Sequence, residues 1–280
     1  MKSFFFSIFF IAIFAVQAQV TTPQPSPKAN TSQVVGLTQF ELEYSRPSTR
    51  DRKIFGDLIP YDKLWRTGAN ANTTIKFDED IVFGGQKVKA GKYAIFTKPG
   101  KKEWEVYLFA KTDNWGVPQN WDESQIVAQT KVDAVGIQDK VESFTIDFNH
   151  FSKDKAHLTM KWENTAVNIP IEVPTDEMVM ASIEMAMKGP KSVDYFNSAV
   201  YFLETDRDIN RAKMWIDQAM ELRDDKPYWM LRQQSLIYAK AGEKNTAIKI
   251  AKQSLEAAEK AGNRDYVEMN KASLKEWGAY

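Results

Sequence analysis

The densest chemistry in the chain lies in residues 44–72, YSRPSTRDRKIFGDLIPYDKLWRTGANAN. Arg46, Arg50, Arg52, Lys53, Lys63 and Arg66 stand against Asp51, Asp57 and Asp62, with Tyr44, Phe55, Tyr61 and Trp65 interleaved. Arginine and asparagine side chains bond carboxylate or hydroxyl groups, and aromatic rings stack on apolar faces. Arg46, Arg52, Tyr61, Trp65, Arg66 and Asn70 are therefore the candidate residues for an anionic or carbohydrate ligand. The same residues admit a structural reading. Guanidinium forks pair with carboxylates and stack on rings, which would pin a crossover to the domain, with Ile54, Phe55, Leu58, Ile59 and Leu64 as plugs into the core. A third reading makes Asp57 or Asp62, beside Arg66, the carboxylate of a hydrolase acting on a glycan or peptide. Spacing alone identifies no catalytic residue. Long segments without regular structure inside a compact domain are uncommon and often functional.

Other constellations are thinner. His150 and His157 are the two histidines, and seven residues apart they do not match helical zinc spacing. With no cysteine, thiol catalysis and thiolate metal sites are excluded, and neither a metal nor a cofactor is expected. There is no Gly-x-Ser-x-Gly elbow, phosphate-binding loop or dinucleotide fingerprint. Asp78-Glu79-Asp80 reads as a solvated turn. Trp115 and Trp121, in NWGVPQNW, suit either a platform for a sugar or a cover over one end of a sheet. Asn30-Thr31-Ser32 and Asn72-Thr73-Thr74 are sequons that matter only in a eukaryotic secretory path.

The elements that position this segment read as strands. Period two is set from Ser32, with Val34, Phe40, Leu42 and Tyr44 on one face. Ile75 and Phe77 follow, then Ile81 and Phe83 before Gly84-Gly85, a two-residue hairpin signal. Tyr93 and Ile95 alternate with Ala94 and Phe96, which predicts a strand buried on both faces. Trp104-Val106-Leu108, Phe144-Ile146-Phe148, Ala156 to Trp162 and Val167 to Val173 complete the set. Short strands with frequent turn signals predict an antiparallel β-sandwich over residues 31–174. Residues 19–30, QVTTPQPSPKAN, read as a disordered, solvated leader.

Residues 175–280 are helical in pattern. Thr175 or Asp176 can cap a helix carrying Met178, Ile183, Met185 and Met187 on one face, stopped by Gly189-Pro190. Ala212 with Ala219, and Ala247 with Ser254, place small residues at matching sites 35 residues apart. Small residues there let paired helices approach closely. This resembles the tetratricopeptide repeat, with Tyr238 and Ala247 where that repeat has its tyrosine and first alanine, although Ser235 and Leu203 depart from its pattern. Arg264 to Trp277 reads as a capping helix. The predicted fold class is α+β: an antiparallel β-sandwich followed by an α-helical, tetratricopeptide-like hairpin array. Such a tail would dock a protein partner.

The N-terminus predicts export. Lys2 precedes an apolar run from Phe4 to Val16, too short to span a bilayer, and Val16-Gln17-Ala18 offers small residues for cleavage after residue 18. Localisation is then periplasmic or secreted, with no membrane span after cleavage. Thirty-seven basic against 37 acidic residues give a formal net charge of zero, which leaves no electrostatic footprint for nucleic acid.

The run Tyr44-Ser45-Arg46-Pro47, then Arg52-Lys53-Ile54-Phe55-Gly56, Pro60-Tyr61, Trp65-Arg66-Thr67-Gly68-Ala69-Asn70 and Ala90-Gly91-Lys92-Tyr93, resembles a bacterial envelope family known as domain of unknown function 2911. Trp115-Gly116 and the stretch from Leu158 to Pro170 are similar to it as well, so the resemblance covers about residues 26–173. It implies a secreted or periplasmic protein, often with a helical repeat tail, and brings no established activity. Family members often have Gly where this chain has Asp51. The functional expectation is a ligand- or partner-binding module of the cell envelope using residues 44–72. A hydrolase and a structural scaffold are the alternatives.

Overall fold

A computed structural model describes residues 22–279. The expected signal segment lies outside the described residues. The chain divides into two compact units, with the boundary between Thr175 and Asp176.

Among the described residues the first unit contains nine strands: β1 (Lys28–Val35), β2 (Thr38–Ser45), β3 (Thr73–Phe77), β4 (Ile81–Phe83), β5 (Gln86–Val88), β6 (Gly91–Pro99), β7 (Glu103–Phe109), β8 (Ile126–Asn149) and β9 (Lys155–Glu172). They form one antiparallel ladder in the order β1-β2-β3-β6-β7-β8-β9-β4-β5. β8 is long enough to serve twice. Its first part pairs with β7 (Val106 opposite Thr130), and its later part pairs with β9 (Ile146 opposite Met160). β2 and the later part of β8, which are not neighbours in the ladder, therefore face each other across a shared core, where Phe40 meets Phe148 at 5.3 Å between ring centroids. Inward-facing side chains of every second residue fill that core, as a two-layered β architecture requires.

Several expectations need correction. The period-two run from Ser32 to Tyr44 is not one strand. Gly36, at φ +57°, turns it into a two-residue hairpin with Val35 opposite Thr38. The turn shifts the parity, so Val35 is buried and Val34 is half exposed. Residues 25–30 are not a free leader either. β1 starts at Lys28, the Pro27 carbonyl accepts from the Arg46 amide at 2.9 Å, and the Pro25 carbonyl accepts from the Arg50 guanidinium at 2.9 Å. β6 is buried on both faces as its alternation predicted. Ile95 points into the main core, while Ala94 and Phe96 form a second apolar layer with Tyr107 and Phe109. Trp121 closes that layer, stacked on Phe109 at 4.6 Å, which makes it a cover and not a ligand platform.

The described residues of the second unit form six helices: α1 (Thr175–Ala186), α2 (Ser192–Glu204), α3 (Ile209–Glu221), α4 (Tyr228–Lys240), α5 (Lys244–Lys260) and α6 (Arg264–Glu276). Ala212, Ala219, Ala247 and Ser254 are all fully buried where α2 packs on α3 and α4 on α5. Asp208 caps α3 by accepting from the amides of Asn210 and Arg211. On α1, Ile183 is buried, but Met185, expected on the same face, is exposed. No helix among the described residues is long and apolar enough to cross a membrane.

The Gly84-Gly85 hairpin joins β4 to β5, with φ of +55° and +86°. A Cβ on Gly84 would lie 2.4 Å from Thr130 Cβ, whereas a Cβ on Gly85 would meet nothing within 4 Å. Gly85→Ala should therefore cost only the left-handed backbone penalty, about 1–2 kcal/mol. Gly84→Ala should cost more, because Thr130 on β8 must also move. Urea midpoints of the two variants measure the difference.

Candidate functional site

Residues 46–72 connect β2 to β3 across one end of the first unit. They are held at both ends by ladder hydrogen bonds. β8 carries more residues than β9 between Gly136 and Thr145, so its ladder with β9 is interrupted there. The interruption frees backbone groups that the connecting segment takes up. Thr49 N–H donates to the Glu142 carbonyl at 2.8 Å, and Phe144 N–H donates to the Pro47 carbonyl at 2.9 Å. At the other end, Trp65 and Thr97 of β6 exchange backbone hydrogen bonds of 2.7 and 2.9 Å. Between these anchors Ile54 and Phe55 are buried in the core, as expected of plugs. Leu58 is exposed and plugs nothing, while Ile59 packs half-buried on the main core and Leu64 half-buried on the second apolar layer.

The Trp65 ring fixes the segment. It stacks on Trp162 of β9 at 5.8 Å and 18°, and meets Phe144, Trp104 and Phe55 edge-on at 5.0–6.3 Å. Its Nε1 donates to the Gly68 carbonyl at 3.1 Å, so the indole is satisfied within its own loop. Thr67 donates from Oγ1 to Thr97 Oγ1 at 3.0 Å. Arg66 is thus gripped on both sides through its neighbours.

Above the two tryptophans lies a cleft of about 400 Å³. Trp65, Trp162, Ile59 and Leu64 give it apolar walls, and Arg50, Arg52 and Arg66 line it as its charged residues, with no carboxylate among its lining. Arg52 donates from Nε to the Thr49 carbonyl and from Nη2 to the Ser48 carbonyl, both at 2.9 Å. Arg50 is placed by Glu142, whose carboxylate accepts from the Arg50 amide at 2.9 Å and from the Thr49 hydroxyl. Those bonds hold the Glu142 carboxyl below its ordinary value of 4.5. A lowered carboxylate stabilises the fold above the ordinary value and loses that contribution as pH falls through the folded one. Arg66 differs from the other two. No hydrogen bond or ion pair joins its guanidinium to any described residue, and Nη1 lies beside Gly116, 3.0 Å from where a Cβ would stand.

Of the six candidates, Arg52, Trp65 and Arg66 come together in this cleft. Asn70 lines a neighbouring one, donating from Nδ2 to the Ser26 carbonyl and to Ser45 Oγ. Arg46 is a fastening and not a ligand group. Its Nε donates to the Phe144 carbonyl at 3.0 Å and its Nη2 to Thr145 Oγ1 at 2.8 Å. Tyr61 packs over Gly56 and under Lys101, away from the cleft. Asp57 and Asp62, proposed as carboxylates beside Arg66, are not in its walls either. Asp62 sits at the β6–β7 turn, where its amide donates to the Pro99 carbonyl at 2.8 Å. His150 and His157 meet at the β8–β9 turn, 5.0 Å apart, and no group of three or more metal-ligating side chains occurs among the described residues.

Sequence reasoning did not select Arg50, Ser48, Trp162 or Val117, nor Pro25 and Ser26, which complete the lining. The NWGVPQNW stretch, read as a sugar platform or a sheet cover, and the family-like Trp115-Gly116 within it pointed toward the far wall.

A nine-stranded antiparallel unit, with a β2–β3 connection folded over its end to form an arginine-lined cleft, is the class of domain these features define. The chain belongs to the family described as "Protein of unknown function (DUF2911)", whose sequence model matches residues 26–171. No curated protein and no solved structure matches it.

The two kinds of arginine separate in stability. Arg46→Ala removes charged hydrogen bonds to β8 and should lower stability by about 1–3 kcal/mol. Arg66→Ala removes no internal bond and should stay within about 0.5 kcal/mol of the parent. Thermal unfolding of both proteins checks this.

Proposed function

We propose that the protein is an exported binding protein of the cell envelope that captures an anionic ligand in the arginine cleft. The observation that carries this reading is the Arg66 guanidinium. It faces a 400 Å³ cleft with Arg50 and Arg52 on the wall, no carboxylate in the lining, and no partner among the described residues. A guanidinium that the fold leaves unpaired, positioned by a buried neighbour, is preorganised for a carboxylate, sulfate or phosphate oxygen pair. The apolar floor of Trp65 and Trp162 supplies contact area for the rest of such a ligand. The backbone supports the same reading. Arg50, Asp51, Asp62, Thr67 and Asn70 all have φ between +48° and +60°, so five non-glycine left-handed residues sit in this one connection. Strain of that kind gathers at ligand clamps.

Sodium sulfate titrated into the full chain at low ionic strength tests the cleft. Binding should be saturable and weaken by about tenfold or more in Arg66→Ala, with partial retention in Arg66→Lys, since lysine keeps the charge but not the fork. Binding that is absent, or equal in the parent and Arg66→Ala, contradicts the reading.

Export rests on the Phe4–Val16 run and the Val16-Gln17-Ala18 site. The helical unit, with its tetratricopeptide-like spacing, would dock a protein partner. Intact-mass measurement on the protein from its native cells should find Gln19 at the N-terminus. A species retaining Met1 in the cytosol counts against export.

A further inference from the structure

A second cleft, of about 270 Å³, adjoins the first. It is lined by Ser26, Ser45, Asn70, Asn72 and Trp115, together with Lys28 and Glu43. The last two form an ion pair at 2.8 Å, so this cleft carries no spare charge, unlike its neighbour.

Three observations bear on what it takes. Trp115 is 77% exposed, the most exposed large apolar residue among those described, while Trp121 in the same loop is spent on covering the sheet. The Trp115 ring therefore closes no core. Asn72 is only 5% exposed, and its Oδ1 accepts from no described group. Its Nδ2 faces the Thr73 carbonyl at 3.4 Å, an orientation that leaves the acceptor as the unmatched atom. That acceptor is closed off from solvent just beneath the cleft lining, so a small shift of the lining opens it to a ligand hydroxyl, directly or through one water. The third observation is continuity. The Asn72 backbone N–H donates to the Asn114 carbonyl at 3.1 Å, which fixes the start of the 114–117 strip. Trp115 lines the neutral cleft, Gly116 touches Arg66, and Val117 lines the arginine cleft. Ser26 lines both.

We infer that the two clefts are halves of one site for an acidic saccharide. A sugar ring stacks its apolar face on Trp115 and offers hydroxyls to Asn70 and Asn72, while its carboxylate or sulfate group reaches Arg66 past Gly116. An indole face with neutral amides and hydroxyls is the chemistry that recognises a polyol ring, and a bare inorganic anion would leave that half empty. The inference rests on the arginine cleft being an anion site.

The test uses the full chain against a panel of uronate-, sialate- and sulfate-bearing oligosaccharides, their neutral counterparts, and sodium sulfate alone. At least one acidic saccharide should bind about tenfold or more tightly than both sulfate and its neutral counterpart. Trp115→Ala should weaken that saccharide by about tenfold, and Trp115→Phe should restore most of the loss because a ring remains. Trp115 is exposed and makes no core contact, so folding is not at stake in either variant. If sulfate binds but no acidic saccharide exceeds it, or if Trp115→Ala matches the parent, the inference falls and the arginine cleft stands. If sulfate itself does not bind, the anion reading falls first.

Discussion

The contact on which the first unit depends is the stack of Trp65 on Trp162. It joins an irregular connection to a central strand, and Phe55, Trp104 and Phe144 surround the pair. Burying a large apolar side chain is worth about 1.5–3 kcal/mol, and each favourable ring pair adds about 0.5–1.5 kcal/mol. That is enough to hold several strained backbone residues beside it. The cleft exists because the stack fills the end of the core only up to the level of the two indoles, and the connection has to pass around it. One interaction thus sets both the closure of the sheet and the floor of the site.

The second requirement is the irregular stretch of β8. A regular β8–β9 ladder would leave residues 46–50 with unmatched amides and carbonyls next to the core. Extra residues between Gly136 and Thr145 release the Glu142 and Phe144 backbone groups, and the connection takes them up. Asp51 fits this arrangement. Its φ of +58° is a conformation glycine adopts freely and aspartate tolerates better than most side chains, so an Asp for Gly exchange keeps the turn.

Much of the fold was legible because period two survives wherever one face is buried and turn residues have steric signatures. Gly84-Gly85 and the two-faced β6 follow from that, while the buried alanines of the helices were legible from small residues recurring at matching sites 35 residues apart. The first half of β8 escaped notice because its inward residues, Ala128, Thr130 and Val132, are small or polar and give no alternation of bulk. Val34 was misplaced because a two-residue turn at Gly36 reverses parity without breaking the apolar run. The site was half legible for a different reason. Residue types in a segment without a period say that polar and aromatic groups are close in sequence, but not which way each points. Arg52, Trp65 and Arg66 point to one cleft, while Arg46 and Tyr61, equally good by type, are turned to β8 and to the β6–β7 turn. Pro25 and Ser26 looked like solvent-exposed linker because proline-rich stretches usually are. Here arginine and asparagine donors capture their carbonyls instead.

That capture has a practical side. Because Arg46, Arg50 and Asn70 tie down the backbone at Pro25, Ser26 and Pro27, the stretch from Gln24 to Ser26 lies at the rim of both clefts. A polyhistidine tag or fusion partner placed there would crowd the opening and supply carboxylates or imidazoles to the arginines.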